Sequence, residues 1–170
     1  MLVFADESGT HTSMTRAHAR APEGERVVGR VPRCRGVVTT VLGAIGAAGV
    51  AALMTIEGAT TGAVFTAFAR DVLAPTLRKG QVVVLDNLAA HKVKAAREAI
   101  EARGARILFQ PPYAPEVNPM ENAWAFIKDV IRTIEPRTLK ALDAAIATGA
   151  EQITPRHAEG YFRHCGYHIN

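Results

Sequence analysis

Apolar positions along this chain fall into short continuous runs and into patches with helical spacing. Leu2-Val3-Phe4-Ala5 is an apolar run that stops at Asp6-Glu7-Ser8-Gly9, which predicts a strand followed by a loop. A polar, arginine-rich segment reaches Gly36, and uncharged sequence then runs to Ile56. Within that run Gly46-Ala47-Ala48-Gly49 reads as a turn, giving strands over 37–44 and 50–56. Residues 61–73 place Val64, Phe65, Phe68 and Val72 on one side of a helix that Pro75 ends. Residues 81–85 are apolar and β-branched, as in a central strand covered on both faces. A helix follows over 92–103, with Val93, Ala96 and Ile100 inward and Gly104 as its cap. Residues 105–109 read as the next strand, and Pro111, Pro112 and Pro115 stiffen the loop after it. Trp124, Ile127, Ile131 and Ile134 mark a helix from about 119 to 133, and 139–152 is another. The last fifteen or so residues read as irregular or weakly helical. The order predicts an α/β protein, a mixed central β-sheet flanked by α-helices, with one domain over 1–153 and a tail over 154–170.

With 170 residues, 48% of them hydrophobic, the chain can bury one substantial core. Lys and Arg number 20 against 16 Asp and Glu, an excess that permits a polyanionic partner without requiring one. The distribution is more telling. Arg16, Arg20, Arg26, Arg30, Arg33 and Arg35 share one segment with only Glu23 and Glu25. Guanidinium groups suit phosphate, so Arg16, Arg20 and Arg26 are candidate DNA contacts; a solvated loop is the other reading. The uncharged stretch 36–56 is long enough to span a bilayer, but its Gly, Ala, Val and Thr content and its central turn favour the hairpin. No membrane association is expected. Cys34 and Cys165 are too few for a disulfide framework, and no secretory leader is evident, so the cytoplasm is the expected compartment.

Asp6 and Asp86 are each the first charged residue after an apolar strand. Ligands collect at the carboxyl ends of strands in open α/β sheets, and two carboxylates there repel unless a cation joins them. Each could instead simply cap a loop. Glu121 has its own local explanation: Asn118, Pro119 and Glu121 stand where N-cap, N1 and N3 of a capping box would fall. A helix N-terminus also keeps a carboxylate ionised and ready for metal. Oxygen ligands of this kind suit Mg2+, with Mn2+ an alternative, and a pair of such ions can clamp a phosphodiester. His91 could contact phosphate beside Asp86, or simply begin a helix. His157, His164, Cys165 and His168 fit no regular zinc spacing.

Three stretches carry a family resemblance: Phe4-Ala5-Asp6-Glu7-Ser8-Gly9, Val84-Leu85-Asp86-Asn87-Leu88-Ala89-Ala90-His91, and Pro111-Pro112-Tyr113-Ala114-Pro115-Glu116-Val117-Asn118-Pro119-Met120-Glu121-Asn122-Ala123-Trp124. With 34 residues between Asp86 and Glu121, the chain resembles the DDE transposases of bacterial insertion sequences in the mariner-like branch. The resemblance implies an RNase H-like fold, with Asp6, Asp86 and Glu121 as catalytic acids that hold two Mg2+ or Mn2+ ions. It implies hydrolysis at transposon ends, strand transfer into target DNA, a homo-oligomer in the synaptic complex, and association with the nucleoid. Glu7 and Glu116 lie beside motif acids without occupying the triad positions. Family members usually carry helix-turn-helix modules before the first catalytic strand, and this chain starts almost on that strand. A separate DNA-binding region is therefore expected as a partner. The alternative is a truncated, non-catalytic fragment that binds DNA or a full-length partner; a different RNase H-like nuclease is a further one.

Overall fold

The structure is a computed structural model that describes residues 1–34, 36–112 and 114–168, so Arg35 and Tyr113 lie outside the described residues. Five strands form one sheet: β1 (Leu2–His11), β2 (Val38–Gly46), β3 (Gly49–Glu57), β4 (Val82–Leu85) and β5 (Arg106–Phe109). Their order is β3-β2-β1-β4-β5. The first three run antiparallel, whereas β1, β4 and β5 are parallel. Helices cover both faces. On one face lie α1 (Gly62–Ala67) and α2 (Lys94–Glu101); on the other lie α3 (Pro119–Ile134), α4 (Leu139–Glu151) and α5 (Pro155–His164). The expected mixed sheet with flanking helices is what forms. The uncharged stretch is the β2–β3 hairpin, and among the described residues no helix is long and apolar enough to cross a membrane.

Strand alternation divides β1 between the two cores. Phe4 packs with α3, α4 and α5, whereas Val3 and Ala5 pack with α1 and α2. Asp6 therefore faces the α3 side and Glu7 the opposite one. β1 does not stop at Asp6 as expected. Its parallel pairing with β4 ends at Phe4↔Val84, but its antiparallel ladder with β2 continues to His11↔Val38. The first charge marks the end of one neighbour, not of the strand, because β2 goes on satisfying the backbone.

Two other segments depart from expectation. The helix expected over 61–73 is α-helical only to Ala67, then widens into a π-helical stretch, Phe68–Leu73, and tightens into a 3₁₀ turn, Ala74–Thr76. The wider turn brings Phe68 and Leu73, five residues apart, into the same core as Phe65. Pro75 sits inside the 3₁₀ turn, where its missing N–H costs nothing. The closing segment, expected to be irregular or weakly helical, holds a well-capped ten-residue helix. Thr154 and His157 form a capping box, and Phe162 packs edge-on against Phe4 with ring centroids 5.5 Å apart.

Gly43 pairs with Asp6 across the β1–β2 ladder. A Cβ there would lie 2.7 Å from Trp124 Cη2 and 2.8 Å from Met120 Cε, so its absence lets the first turns of α3 sit directly on the sheet. The Met120 methyl can swing aside; the Trp124 ring, 2% exposed, cannot. Gly43→Ala should cost about 1–3 kcal/mol in urea denaturation, by lifting α3 and the residues at its N-terminus away from Asp6.

Candidate active site at the carboxyl ends of two parallel strands

Adjacent parallel strands bring Asp6 and Asp86 to the same end of the sheet. Asp86 directly follows β4, and Asp6 stands two residues past the last β1–β4 pair. α3 supplies the third acid from its first turn, because Asn118 ends the preceding loop as N-cap and Pro119 starts the helix. Asp6, Asp86 and Glu121 line one open cleft of about 660 Å³, together with Lys92, Gln110 and Asn118.

The environments of the three acids differ. Asp6 is half-buried; its Oδ1 accepts the Glu7 N–H at 2.8 Å and its Oδ2 accepts from Asn118 Nδ2 at 2.9 Å. Burial pushes its carboxyl from 3.8 up to about 6, against the Glu7 N–H, and the charges of Glu121, Glu7 and Asp86 push the same way. Asp86 accepts the Leu88 N–H at 3.0 Å. Glu121 is exposed, and its side chain makes no hydrogen bond or ion pair among the described residues. The capping box expected of it does not form, since the Asn118 N–H donates to the Pro115 carbonyl at 3.0 Å. Asn118 Oδ1 still caps the helix, accepting from Met120 N–H at 3.1 Å.

His91 is turned inward, away from the phosphate-facing position expected of it. Its side chain is fully buried against Phe65, at 4.2 Å between ring centroids. Nε2 donates to Glu7 Oε2 at 2.9 Å, and Nδ1 lies 2.5 Å from Asp86 Oδ1, off the line of a hydrogen bond. Burial works against its charge, but the Glu7 hydrogen bond and the charges of Glu7 and Asp86 outweigh it and raise its pKa. Both ring nitrogens face carboxylates inside the molecule, Nε2 hydrogen-bonded to Glu7 and Nδ1 against Asp86.

Arg16, Arg20 and Arg26 stand on the exposed segment after β1, outside the cleft lining, with no ion pair among the described residues. That segment is anchored at its start, where Arg137 Nη1 donates to the Thr12 and Met14 carbonyls at 3.0 and 3.1 Å. Sequence reasoning missed Glu7 as the partner of His91 and missed the second contact of Asn118. Strand alternation gave a usable signal for Glu7, which had to face away from Asp6. Nothing local signalled the Asn118–Asp6 bond.

The donor set fits a hard divalent cation. All three acids offer oxygen, and among the described residues no Lys or Arg pairs with any of them. The mutual repulsion that raises the Asp6 pKa is what a cation would relieve. Among the described residues no group of three His, Cys, Asp or Glu side chains is closed tightly enough to cage an ion as it stands. His157, at the C-terminal end, is occupied in capping α5.

The Asp6 value carries a sign. Its pKa is higher in the fold than the ordinary 3.8, so its contribution to metal-free stability is lost as pH rises from about 4 through 6. Asp6→Asn should therefore stabilise the metal-free protein by up to about 2 kcal/mol at pH 7 and leave it little changed near pH 4. Thermal melts in a chelator at the two pH values test this; equal shifts at both would contradict it.

A mixed sheet in this order, helices on both faces and acids just past the end of the parallel β1–β4 pairing define an RNase H-like fold. The sequence matches the DDE superfamily endonuclease family over residues 1–143, and the chain belongs to that family. Among solved structures it is similar to the Mos1 strand transfer complex (TM-score 0.71, 16% identity, 97% of this chain and 50% of that chain). It is also similar to the mariner Mos1 paired end complex with Mg (TM-score 0.70, 15% identity, 97% and 53%). The Mos1 transposase catalytic domain with Raltegravir and Mg matches at TM-score 0.59 and 13% identity, over 99% of this chain and 84–85% of such catalytic-domain chains. The chain thus spans about half the length of the Mos1 chains in the strand transfer and paired end complexes. No curated protein matches it in sequence.

Proposed function

We propose that this chain is the catalytic domain of a transposase from a bacterial insertion sequence, cleaving DNA strands and joining them to target DNA. The observation that carries the reading is the grouping of Asp6, Asp86 and Glu121 in one cleft with no basic partner. Family membership and the Mos1-like fold support it. Asp6, Asp86 and Glu121 would hold two Mg2+ or Mn2+ ions. When bound, those ions supply Lewis-acid activation of the attacking oxygen and stabilisation of the leaving one. Asn118 keeps Asp6 pointed into the cleft, and the first turn of α3 carries Glu121 to its edge. Lys92, the one cation among the described cleft-lining residues, is placed to hold a backbone phosphate. Its ammonium lies 5.9 Å from the Phe109 ring centroid, which steadies it at the rim.

In the first reaction water attacks a phosphodiester, leaving a 3′-hydroxyl and a 5′-phosphate; in the second that hydroxyl attacks target DNA and displaces another 3′-oxygen. Arg16, Arg20 and Arg26 are proposed to contact DNA beyond the cleft, where guanidinium groups suit the backbone. Recognition of transposon ends is assigned to a separate helix-turn-helix region, and synapsis to a homo-oligomer acting on nucleoid DNA in the cytoplasm. Mos1 has been captured in a paired-end complex with a left transposon end, which supports that assignment. Supercoiled plasmid incubated with the protein and Mn2+ tests the activity. Nicks that a polymerase extends without prior treatment, and that EDTA abolishes, are expected. Nicking that persists in EDTA, or that leaves a 3′-phosphate, would overturn the reading.

A further inference from the structure

Among the described residues the ion pairs made by Arg and Lys lie on exposed surface, whereas His91 meets Glu7 and Asp86 with its own ring fully buried. Their side of the sheet is otherwise an apolar core of Phe65, Phe68, Leu85 and their neighbours. Burying an ionic pair there carries a desolvation cost that a well-packed apolar pair would avoid, so packing alone does not account for it. The contacts point to Asp86. Its Oδ1 accepts the Leu88 N–H at 3.0 Å and faces His91 Nδ1 at 2.5 Å, while its Oδ2 has no partner among the described residues. Asp6 and Asp86 repel one another across the cleft, and an unbraced Asp86 would rotate away. Glu7 reaches His91 from beneath the sheet, because strand alternation sends it to the face opposite Asp6.

We infer that Glu7 and His91 are positioning residues that lock the Asp86 carboxylate by its Oδ1, so that Oδ2 alone is presented to a divalent cation. Phe65 holds the imidazole from the side, and the Ala89–Lys92 turn places it directly after β4. This rests on the reading above that Asp86 is a metal ligand, and it makes Asp86 a one-oxygen ligand. Bracing partners of this kind set ligand orientation, and their loss weakens metal binding.

The amide nitrogen of Asn overlays imidazole Nδ1, whereas that of Gln overlays Nε2. His91→Asn keeps the contact to Asp86 and His91→Gln keeps only the one to Glu7. Mn2+ binding to the full chain, measured by electron paramagnetic resonance, should weaken about tenfold in His91→Asn, which loses only the Glu7 brace, and toward about a hundredfold in His91→Gln, which loses the contact to Asp86. Glu7→Ala should also weaken it about tenfold, and Glu7→Gln should restore it. A residue that merely filled space would not rank the two amides in this order. Should His91→Gln fail to fold, the Glu7→Ala and Glu7→Gln pair decides the point. Binding lost in Asp86→Asn but unchanged in His91→Gln and Glu7→Ala overturns the inference alone. No Mn2+ binding by wild type, or unchanged binding in Asp86→Asn, overturns the metal-site reading and the inference together.

Discussion

Asp86→Asn should abolish metal-dependent strand cleavage, lowering the single-turnover rate by at least on the order of a thousandfold. The substitution is nearly isosteric. An amide oxygen at the Oδ1 position can still accept the Leu88 N–H and face His91, so the turn after β4 should hold. What disappears is the negative charge at the unpartnered oxygen, which is the part a cation needs. The metal-free protein should therefore melt within about 1 kcal/mol of wild type, as expected when no core contact is removed. The pairing of a large catalytic loss with a small stability change separates a ligand role from a folding role. Retention of cleavage within tenfold of wild type would remove Asp86 from the catalytic set.

The largest stability effect is expected at the other end of the chain. Phe162→Ala should cost about 3–5 kcal/mol, a large share of the roughly 5–15 kcal/mol that holds a domain of this size together. Phe162 is 2% exposed and packs against Phe4 and Tyr167, at 5.5 and 6.2 Å between ring centroids. Phe4 is two residues from Asp6 on the same face of β1, and the Tyr167 hydroxyl donates to the Val117 carbonyl at 2.9 Å, just before α3. Residues 155–167 thus buttress two of the three segments that carry acids, β1 and α3. Urea denaturation measures the loss directly; a change under 1 kcal/mol would mean that α5 docks only loosely.

Much of the architecture was legible because side-chain pattern reports burial. The run ending at Leu85 read as a central strand and is one, buried between β1 and β5. The glycine-flanked turn read as a hairpin and is one. What was not legible depends on partners distant in sequence. Polar residues after Ala5 gave no hint that β2 would keep pairing with them as far as His11. The π-helical widening at Phe68 left no mark in the helical spacing of Val64, Phe65, Phe68 and Val72. α5 was obscured because only Ala158 and Phe162 are buried along it, and because its capping box uses His157 in place of Glu or Gln.

The site divided in the same way. Strand-end placement singled out Asp6 and Asp86, and the motif around Asn118 singled out Glu121. The brace behind them was invisible, because Glu7 and His91 are 84 residues apart and Asp6 and Asn118 are 112 apart. His91 looked like a surface residue because His-Lys after two alanines carries no sign of burial. Only the fold puts Phe65 over its ring.

The central claim is that Asp6, Asp86 and Glu121 share a divalent ion. Anomalous diffraction from crystals grown with Mn2+ tests it most directly. A manganese peak is expected in the cleft within about 2.0–2.6 Å of an oxygen from each of the three acids, with Asp86 contributing a single oxygen. A peak bound elsewhere, or one that leaves Asp6 or Asp86 outside coordination distance, would contradict it.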